Sequence, residues 1–458
     1  MSDEELRHLS PEQVVALVRR LEARIAELET ELARRGGPPK TPQNSSTPPS
    51  KGWKRDRRSG EGAKRGPPFG HLGTSRRRAE PDWIVLCQPT HCTSCGQALA
   101  AAPQERVGTS QVVELPPVQP VVLEAWRYAA RCPTCGATTV AAYPAGFEPT
   151  RVFGPHLEAL WTYLHEHHHV SYARLAAIGR DVWRLAVSQG ALANALRRVG
   201  TRLGPQVAAI REQVRASPVI GSDETSARVN GRTHWQWVFQ TPTASYFVIV
   251  PRRNSAVVQA FLEGAVPATW VSDLWKPQLS ARAARHQICL AHQLRELQYV
   301  VDREQSAWAR ECQALFRLAI HRAHQRDRRE LWGAAYTAAV AAIERRCDTL
   351  LATPVARAEA SRLWVRFREH RDALFGFLYD PAVPPTNNAS EQALRNSVVH
   401  RKVTGGFRSD WGADAHAIAA TVLETARKHG ADLFTTLQAT LGPPVTIPAG
   451  RPILSPGR

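Results

Sequence analysis

Two sets of residues in this 458-residue sequence have types and spacings that could do chemistry. The first is Cys92-Thr93-Ser94-Cys95-Gly96 and Cys132-Pro133-Thr134-Cys135-Gly136, a C-x2-C-G knuckle written twice. Four thiolates suit one tetrahedral zinc ion, and the glycine after each pair lets the backbone turn its amides toward the sulfurs. A redox dithiol needs only one such pair, so the duplication favours metal. A closed set of four thiolates leaves no position for substrate, which makes this zinc structural. Cys87 and His91 lie close by as spare ligands. The second set is acidic: Asp223, Asp273 and Glu391. Carboxylates brought together repel, and a cation relieves them. Two magnesium ions ~4 Å apart among such acids activate the attacking oxygen and neutralise the leaving one in a phosphodiester displacement.

The acids need a scaffold that gathers them from across the chain. After Pro218 the hydrophobic period changes from helical to extended: Val219–Asp223, His234–Gln240 and Ser245–Val250 read as strands, with Asn230-Gly231 as a turn signal. Ser255–Glu263 reads as a short helix and Thr269–Asp273 as a fourth strand. Three strands, a helix and a strand, with acids on the first and fourth strands, is the layout of a ribonuclease H-like fold, in which those two strands are neighbours. Glu391 then comes from a later helix, opening after Pro384 and Pro385 in Asn387-Asn388-Ala389-Ser390-Glu391. Between His292 and about Asp380 the amphipathic stretches Leu315–Arg328 and Leu331–Leu351 read as a helical insertion, with Cys312 and Cys347 in its core. Cys289 and His292, at C-x2-H spacing, read as packing or DNA-positioning residues in preference to a second zinc site.

Upstream, Val14, Val18, Leu21, Ile25, Leu28 and Leu32 form a 4-3 heptad seam, either a short coiled coil through which copies associate or an amphipathic helix on its own chain. Residues 36–80 are rich in Pro, Gly, Ser and charge and read as a linker. Ten basic residues between Lys51 and Arg78 give it an arm suited to phosphates, or simply a solubilising tail. Phe153–Ser217 is helical by period. Ser171–Ile178, a turn region holding Gly179, and a helix capped by Ser188 and ending in Arg197 and Arg198 resemble a helix-turn-helix, a pattern ordinary helix packing also produces. His167, His168 and His169 read as a solvated helix end in preference to a metal tract.

The net charge of +18 and a pI near 10.2 favour polyanions, mostly nucleic acid. Eight cysteines without a secretory signal argue against a disulfide framework, and no apolar run is long enough for a membrane span. A cytoplasmic protein, nucleoid-associated when DNA-bound, is expected.

At this point the chain resembles a DDE transposase of the insertion sequence 66 family. Gly221-Ser222-Asp223-Glu224-Thr225 is similar to that family's Asp-Glu-Thr motif, and Val271-Ser272-Asp273 carries the second acid. Cys289-Leu290-Ala291-His292 with Arg295 looks like its Cys-x2-His segment, and Asn387-Asn388 ahead of Glu391 matches its Asn-Asn-x-x-Glu motif. Val403–Gly412 and Thr425–Lys428 continue the likeness, as do the heptads, Lys40–Ser46 and the knuckles in their order. Leu274-Trp275-Lys276-Pro277 after the second acid, and Gln392 after the third, depart from the family pattern.

The resemblance implies an enzyme that cleaves the ends of a mobile element and joins the freed 3′-OH to target DNA, with Asp223, Asp273 and Glu391 as catalytic ligands of two magnesium ions. Cys92, Cys95, Cys132 and Cys135 would hold one zinc. Its partners would be double-stranded DNA, a second copy of the chain through the coiled coil, and accessory proteins, with no membrane. A catalytically silent, zinc-containing DNA-binding protein or repressor is the competing reading.

The expected fold is thus multidomain α+β: a coiled coil over 1–35, a basic disordered linker over 36–80, a zinc-binding domain over 81–145, a helical DNA-binding region over 150–216, a ribonuclease H-like α/β catalytic domain over 217–430 with a helical insertion at about 293–380, and a C-terminal tail over 431–458.

Overall fold

The computed structural model describes residues 13, 18–25, 40, 41, 43–45, 71, 73, 76–115, 118, 120–144, 146, 147 and 151–442. Most of the expected linker lies outside them, and of the basic arm only Arg76, Arg77 and Arg78 lie within. Of the heptad positions, Val14, Leu28 and Leu32 lie outside as well. Residues 18–25 are helical and leave Val18, Leu21 and Ile25 about half exposed, at 47%, 53% and 55%.

The knuckles come first. Strands β1 (Ala129–Arg131) and β2 (Thr138–Val140) form an antiparallel hairpin around Cys132–Gly136. The extended character expected of Val121–Tyr128 is not realised as a strand. Pairing begins only at Ala129, because the knuckle returns just Thr138–Val140 as a partner.

Helix α1 (Pro155–Thr162) continues into a π-helical turn, Tyr163–His167, followed by α2 (Tyr172–Trp183) and α3 (Gln189–Arg215). The Ser171 and Ser188 hydroxyls cap α2 and α3 by accepting from Arg174 and Ala191 N–H. The helix boundaries here differ from those expected of a helix-turn-helix. Gly179 lies inside α2, which ends at Arg184 in the left-handed region, and α3 runs 27 residues instead of stopping at Arg198. The continuing stripe of Val199, Leu203, Ile210 and Val214, all buried against the sheet side, carries it on. Arg197 stacks on Trp411 at 5.2 Å and Arg198 pairs with buried Glu158 at 2.7 Å, so both arginines face their own chain.

The central sheet is made of β3 (Val219–Val229), β4 (Arg232–Gln240), β5 (Ser245–Val250), β6 (Thr269–Ser272) and β7 (Arg285–Ile288), in the order β5-β4-β3-β6-β7. Asn230 and Gly231, both at positive φ, make the two-residue turn between β3 and β4. β3 pairs antiparallel with β4 and parallel with β6. Helices α4 (Ser255–Leu262) and α5 (Lys276–Leu279) flank β6.

Beyond β7, α6 (Leu290–Glu304), α7 (Ala307–Asp327), α8 (Gly333–Ala352), α9 (Ala358–Glu369) and α10 (Gly376–Tyr379) build a helical body on one core with Phe316, Leu363, Phe367 and Phe377, and Cys312 and Cys347 are buried in it as expected. Helices α11 (Asn388–Thr404), α12 (Asp410–Lys428) and α13 (Leu433–Leu441) close the fold. Helix α12 covers edge strand β5: Thr421 and Thr425 hydroxyls accept from Phe247 and Ser245 N–H, which satisfies an otherwise open edge. Lys428, part of the expected motif at this helix end, turns inward to the β4–β5 turn, donating to Gln240 and to the Thr241 and Ala244 carbonyls. The expected tail from residue 431 begins instead with α13, because Asp432 caps it and Leu437 and Leu441, one turn apart, are buried. Among the described residues no helix is long and apolar enough to cross a membrane.

Candidate active site

The register of β3 and β6 decides where the acids go. Val219, Ile220 and Gly221 pair with Thr269, Trp270 and Val271, so the constant offset carries Asp223 level with Asp273 just past the end of β6. Asp223 Oδ1 accepts from Glu224 N–H at 2.8 Å, and Asp273 Oδ1 from Trp275 N–H at 3.0 Å.

Glu391 arrives in the first turn of α11, and the start of that helix is fastened to β3. The Asn387 side chain donates to the Ser222 carbonyl at 2.8 Å and accepts from the Ser390 hydroxyl at 2.7 Å, while Gln240 donates to Ser390 at 3.3 Å. Asn387 N–H donates to Cys289 Sγ at 3.1 Å, and Leu290 N–H to the Pro385 carbonyl at 3.0 Å, which joins the start of α6 to the same point. The approach is so close that a Cβ on Gly221 would lie 2.7 Å from Gln240 Nε2 and 2.9 Å from Ser390 Oγ. Gly221 is therefore a packing requirement of the site.

All three acids are half-buried. Burial, then Glu224, Asp273 and Glu391 beside it, pushes the Asp223 carboxyl well above the usual carboxylate range. Glu391 Oε1 is buried without a hydrogen-bond partner. His292 Nδ1 and Arg295 stand 3.6 Å from it, electrostatic neighbours too distant to bond. A raised, crowded carboxyl and a carboxylate oxygen without a hydrogen-bond partner are chemistry that fits a hard divalent cation such as magnesium. Cys289, His292 and Glu391 also offer ligand atoms within 4.8 Å of one another. Cys289, however, is fully buried, and burial pushes its thiol up, away from the thiolate a metal would bind.

The residues missed by sequence reasoning surround Glu224. Its buried carboxylate accepts from Arg253 at 2.8 Å and from Gln278 at 2.7 Å, and the Arg253 guanidinium lies between the rings of Trp235 and Trp275 at 4.2 and 4.0 Å. Trp275 belongs to the stretch that departs from the family pattern; it holds Asp273 through its N–H and covers Arg253 with its ring. Arg253 follows a strand in an unremarkable Arg-Arg pair, and Gln278 sits in a four-residue helix, so neither had a spacing signal.

The two knuckles are built alike. Cys92 N–H donates to the Gln97 carbonyl and Gly96 N–H to that of Cys92; Cys132 with Ala137, and Gly136 with Cys132, repeat both bonds. Gly96 and Gly136 take φ of 75° and 73°. Main-chain hydrogen bonds from Ser94 and Cys95 lower the Cys92 thiol, and those from Cys135 and Thr134 lower Cys132. Within each knuckle the thiols are hydrogen-bonding neighbours, but no three of the four lie within 4.8 Å of one another. No described residue from 76 to 147 is buried, so the segment has no apolar core, and a metal joining the knuckles would supply its centre.

Residues 150–415, which hold all three acids, match the family model described as transposase IS66 family. Residues 89–136, which hold both knuckles, match the zinc-finger binding domain of transposase IS66. No curated protein matches the chain.

Proposed function

The chain belongs to the IS66 family of transposases, and from that membership we propose that it cuts the phosphodiester at the ends of its mobile element and joins the freed 3′-OH to target DNA. The observation that carries this reading is the parallel β3–β6 register that brings Asp273 level with Asp223, with Glu391 supplied by a helix tied to Ser222. The strand order β5-β4-β3-β6-β7, with β4 antiparallel to both neighbours, supports a ribonuclease H-like catalytic domain.

Asp223, Asp273 and Glu391 would hold two magnesium ions, which when bound supply positive charge at the attacking and leaving oxygens. Asp223 within β3, Asp273 just past β6 and Glu391 in the first turn of α11 are only half-buried, which would leave the site accessible to a DNA backbone. Arg295 and His292 stand 3.6 Å from the Glu391 carboxylate without bonding it, and burial with Arg295 nearby lowers the His292 ring below its ordinary pKa. Glu224, occupied with Arg253 and Gln278, props the Asp273–Gln278 loop and is not a metal ligand in this scheme. Cys92, Cys95, Cys132 and Cys135 would close on one structural zinc, supported by the matching turns of the knuckles. The basic arm adds contacts to phosphates, and the half-exposed Val18, Leu21 and Ile25 offer a seam to a second copy.

The test is cleavage and joining of a labelled duplex carrying the element's end, with magnesium and with calcium as an inert control. Asp223→Ala, Asp273→Ala and Glu391→Ala should each abolish both steps and leave DNA binding largely intact. Wild type that binds ends but never cuts them with any divalent metal would hand the function to the silent DNA-binding protein.

A further inference from the structure

Away from both metal sets lies a third cluster of metal-ligating side chains. Glu166, from the π-helical turn Tyr163–His167, meets His400 of α11 and His416 of α12, each at most 5% exposed. One ligand atom from each lies within 4.8 Å of the other two. We propose that Glu166, His400 and His416 form a buried two-histidine, one-carboxylate site for a divalent transition metal ion of the zinc class.

Donor chemistry selects the metal class. Two imidazoles and one carboxylate suit zinc, cobalt or nickel and not magnesium or calcium, which prefer oxygen. Several observations support a built site. His400 Nδ1 is buried and without a hydrogen-bond partner, as is His169 Nδ1, whose ring centre is 5.4 Å from that of His400. His416 Nδ1 is hydrogen-bonded to Glu166 Oε2 at 2.7 Å, a pair whose shared proton the bound ion would replace. The other nitrogen of His416 lies 3.1 Å from Ser397 Oγ, itself held by Gln236, the outer hydrogen bond that orients a ligating imidazole. His165 Nδ1 donates to the Val170 carbonyl at 2.7 Å, which points Nε2 toward the cluster, 4.0 Å from Glu166 Oε1. Phe407 packs over both His400 and His416, at 5.3 and 5.1 Å, and walls the cluster off.

The site would join the helical region before the sheet to α11 and α12. Helix α11 carries Glu391 in its first turn and His400 nine residues later, about 14 Å along the axis, so the ion would fix the far end of the helix that delivers the third acid. The expectation of a solvated end for His167, His168 and His169 holds for His168 alone, which is exposed, while His167 and His169 are partly buried.

The experiment is metal analysis of the full-length chain after dialysis against zinc buffered at a micromolar free concentration. The knuckles stay intact, and the readout is the difference between wild type and Glu166→Gln or His400→Gln. Loss of one zinc equivalent in each variant is expected; wild-type content in both overturns the proposal. Because either variant could unfold, cobalt-substituted wild type gives a second measurement. After the accessible knuckle thiols are alkylated, visible bands of cobalt held by nitrogen and oxygen should persist, and a colourless protein overturns the site.

Discussion

The side-chain amide of Asn387 donates to the main-chain carbonyl of Ser222 at 2.8 Å, one residue before Asp223 on the central strand. Through this bond the backbone that presents the first acid also sets the helix that presents the third. Asn387→Ala removes it, takes the side-chain donor from the Ser222 carbonyl and leaves the Ser390 hydroxyl without its acceptor, with only Gln240 donating to it. A shift of even ~1 Å in reacting groups costs on the order of 100-fold in rate. Cleavage by Asn387→Ala should therefore fall by about that factor, with end binding within a few-fold of wild type in the same assay. Equal losses of binding and cleavage would mean that the contact supports the fold and not the site.

Asp223 should be a stability liability until a cation arrives. Burial and the neighbouring carboxylates raise its carboxyl, so the folded state holds that proton to higher pH than the unfolded chain does. The sign follows: below about pH 3.9 the group is protonated in both states and costs nothing, and as pH rises the charged form weighs increasingly against folding. Without divalent metal, Asp223→Asn should melt a few degrees higher than wild type at pH 7, on the order of 2–4 °C per kcal/mol, and the gain should vanish near pH 3. Magnesium should raise the melting temperature of wild type and leave the variant nearly unmoved.

The knuckles should behave as a unit whose order depends on metal. Cys132→Ser should release one zinc equivalent and make residues 89–136 sensitive to protease, since no described side chain there is buried to hold them otherwise. The main melting transition, governed by the cores of the sheet and helical body, should shift by less than about 1 °C. A large shift would show that the zinc-finger segment is packed on the rest of the chain.

The strands and the helix start at Asn387 are legible because their signals are local: alternation in Val219–Asp223, the Asn230-Gly231 turn, and prolines ahead of Asn387. That β3 and β6 are neighbours is expected from the ribonuclease H-like layout; the parallel register that sets Asp223 level with Asp273 comes from the structure. What stays hidden depends on partners far apart in sequence. Arg197 and Arg198 read as DNA-facing until Trp411 and Glu158 occupy them. Lys428 reads as part of a basic helix end, yet three oxygen acceptors in a turn some 184 residues away draw it inside. The His167–His169 run draws the eye as a polar triplet, although the acid just before it, Glu166, is the residue that meets His400 and His416.

The adjacent acids Asp223 and Glu224 provide the sharpest division of roles. Successive residues on a strand face opposite sides, and here one carboxylate faces Asp273 and Glu391 while its neighbour is taken by Arg253 and Gln278. Burial raises the Glu224 carboxyl despite those two hydrogen bonds, so its charge on balance weighs against folding, whereas its shape and acceptors hold the loop after Asp273. Glu224→Gln should thus cost only ~1 kcal/mol, about one hydrogen bond, and slow cleavage by less than about 10-fold. Glu224→Ala should cost more, roughly 2–4 kcal/mol, because it leaves the buried Gln278 side-chain NH2 without its acceptor and opens a cavity beneath the Arg253–Trp275 stack. Asp223→Asn, of equal size and one residue away, should abolish cleavage while folding as well as wild type or better. If Glu224→Gln is as dead as Asp223→Asn with its melting temperature unchanged, Glu224 is itself in the metal site and the two acids act together.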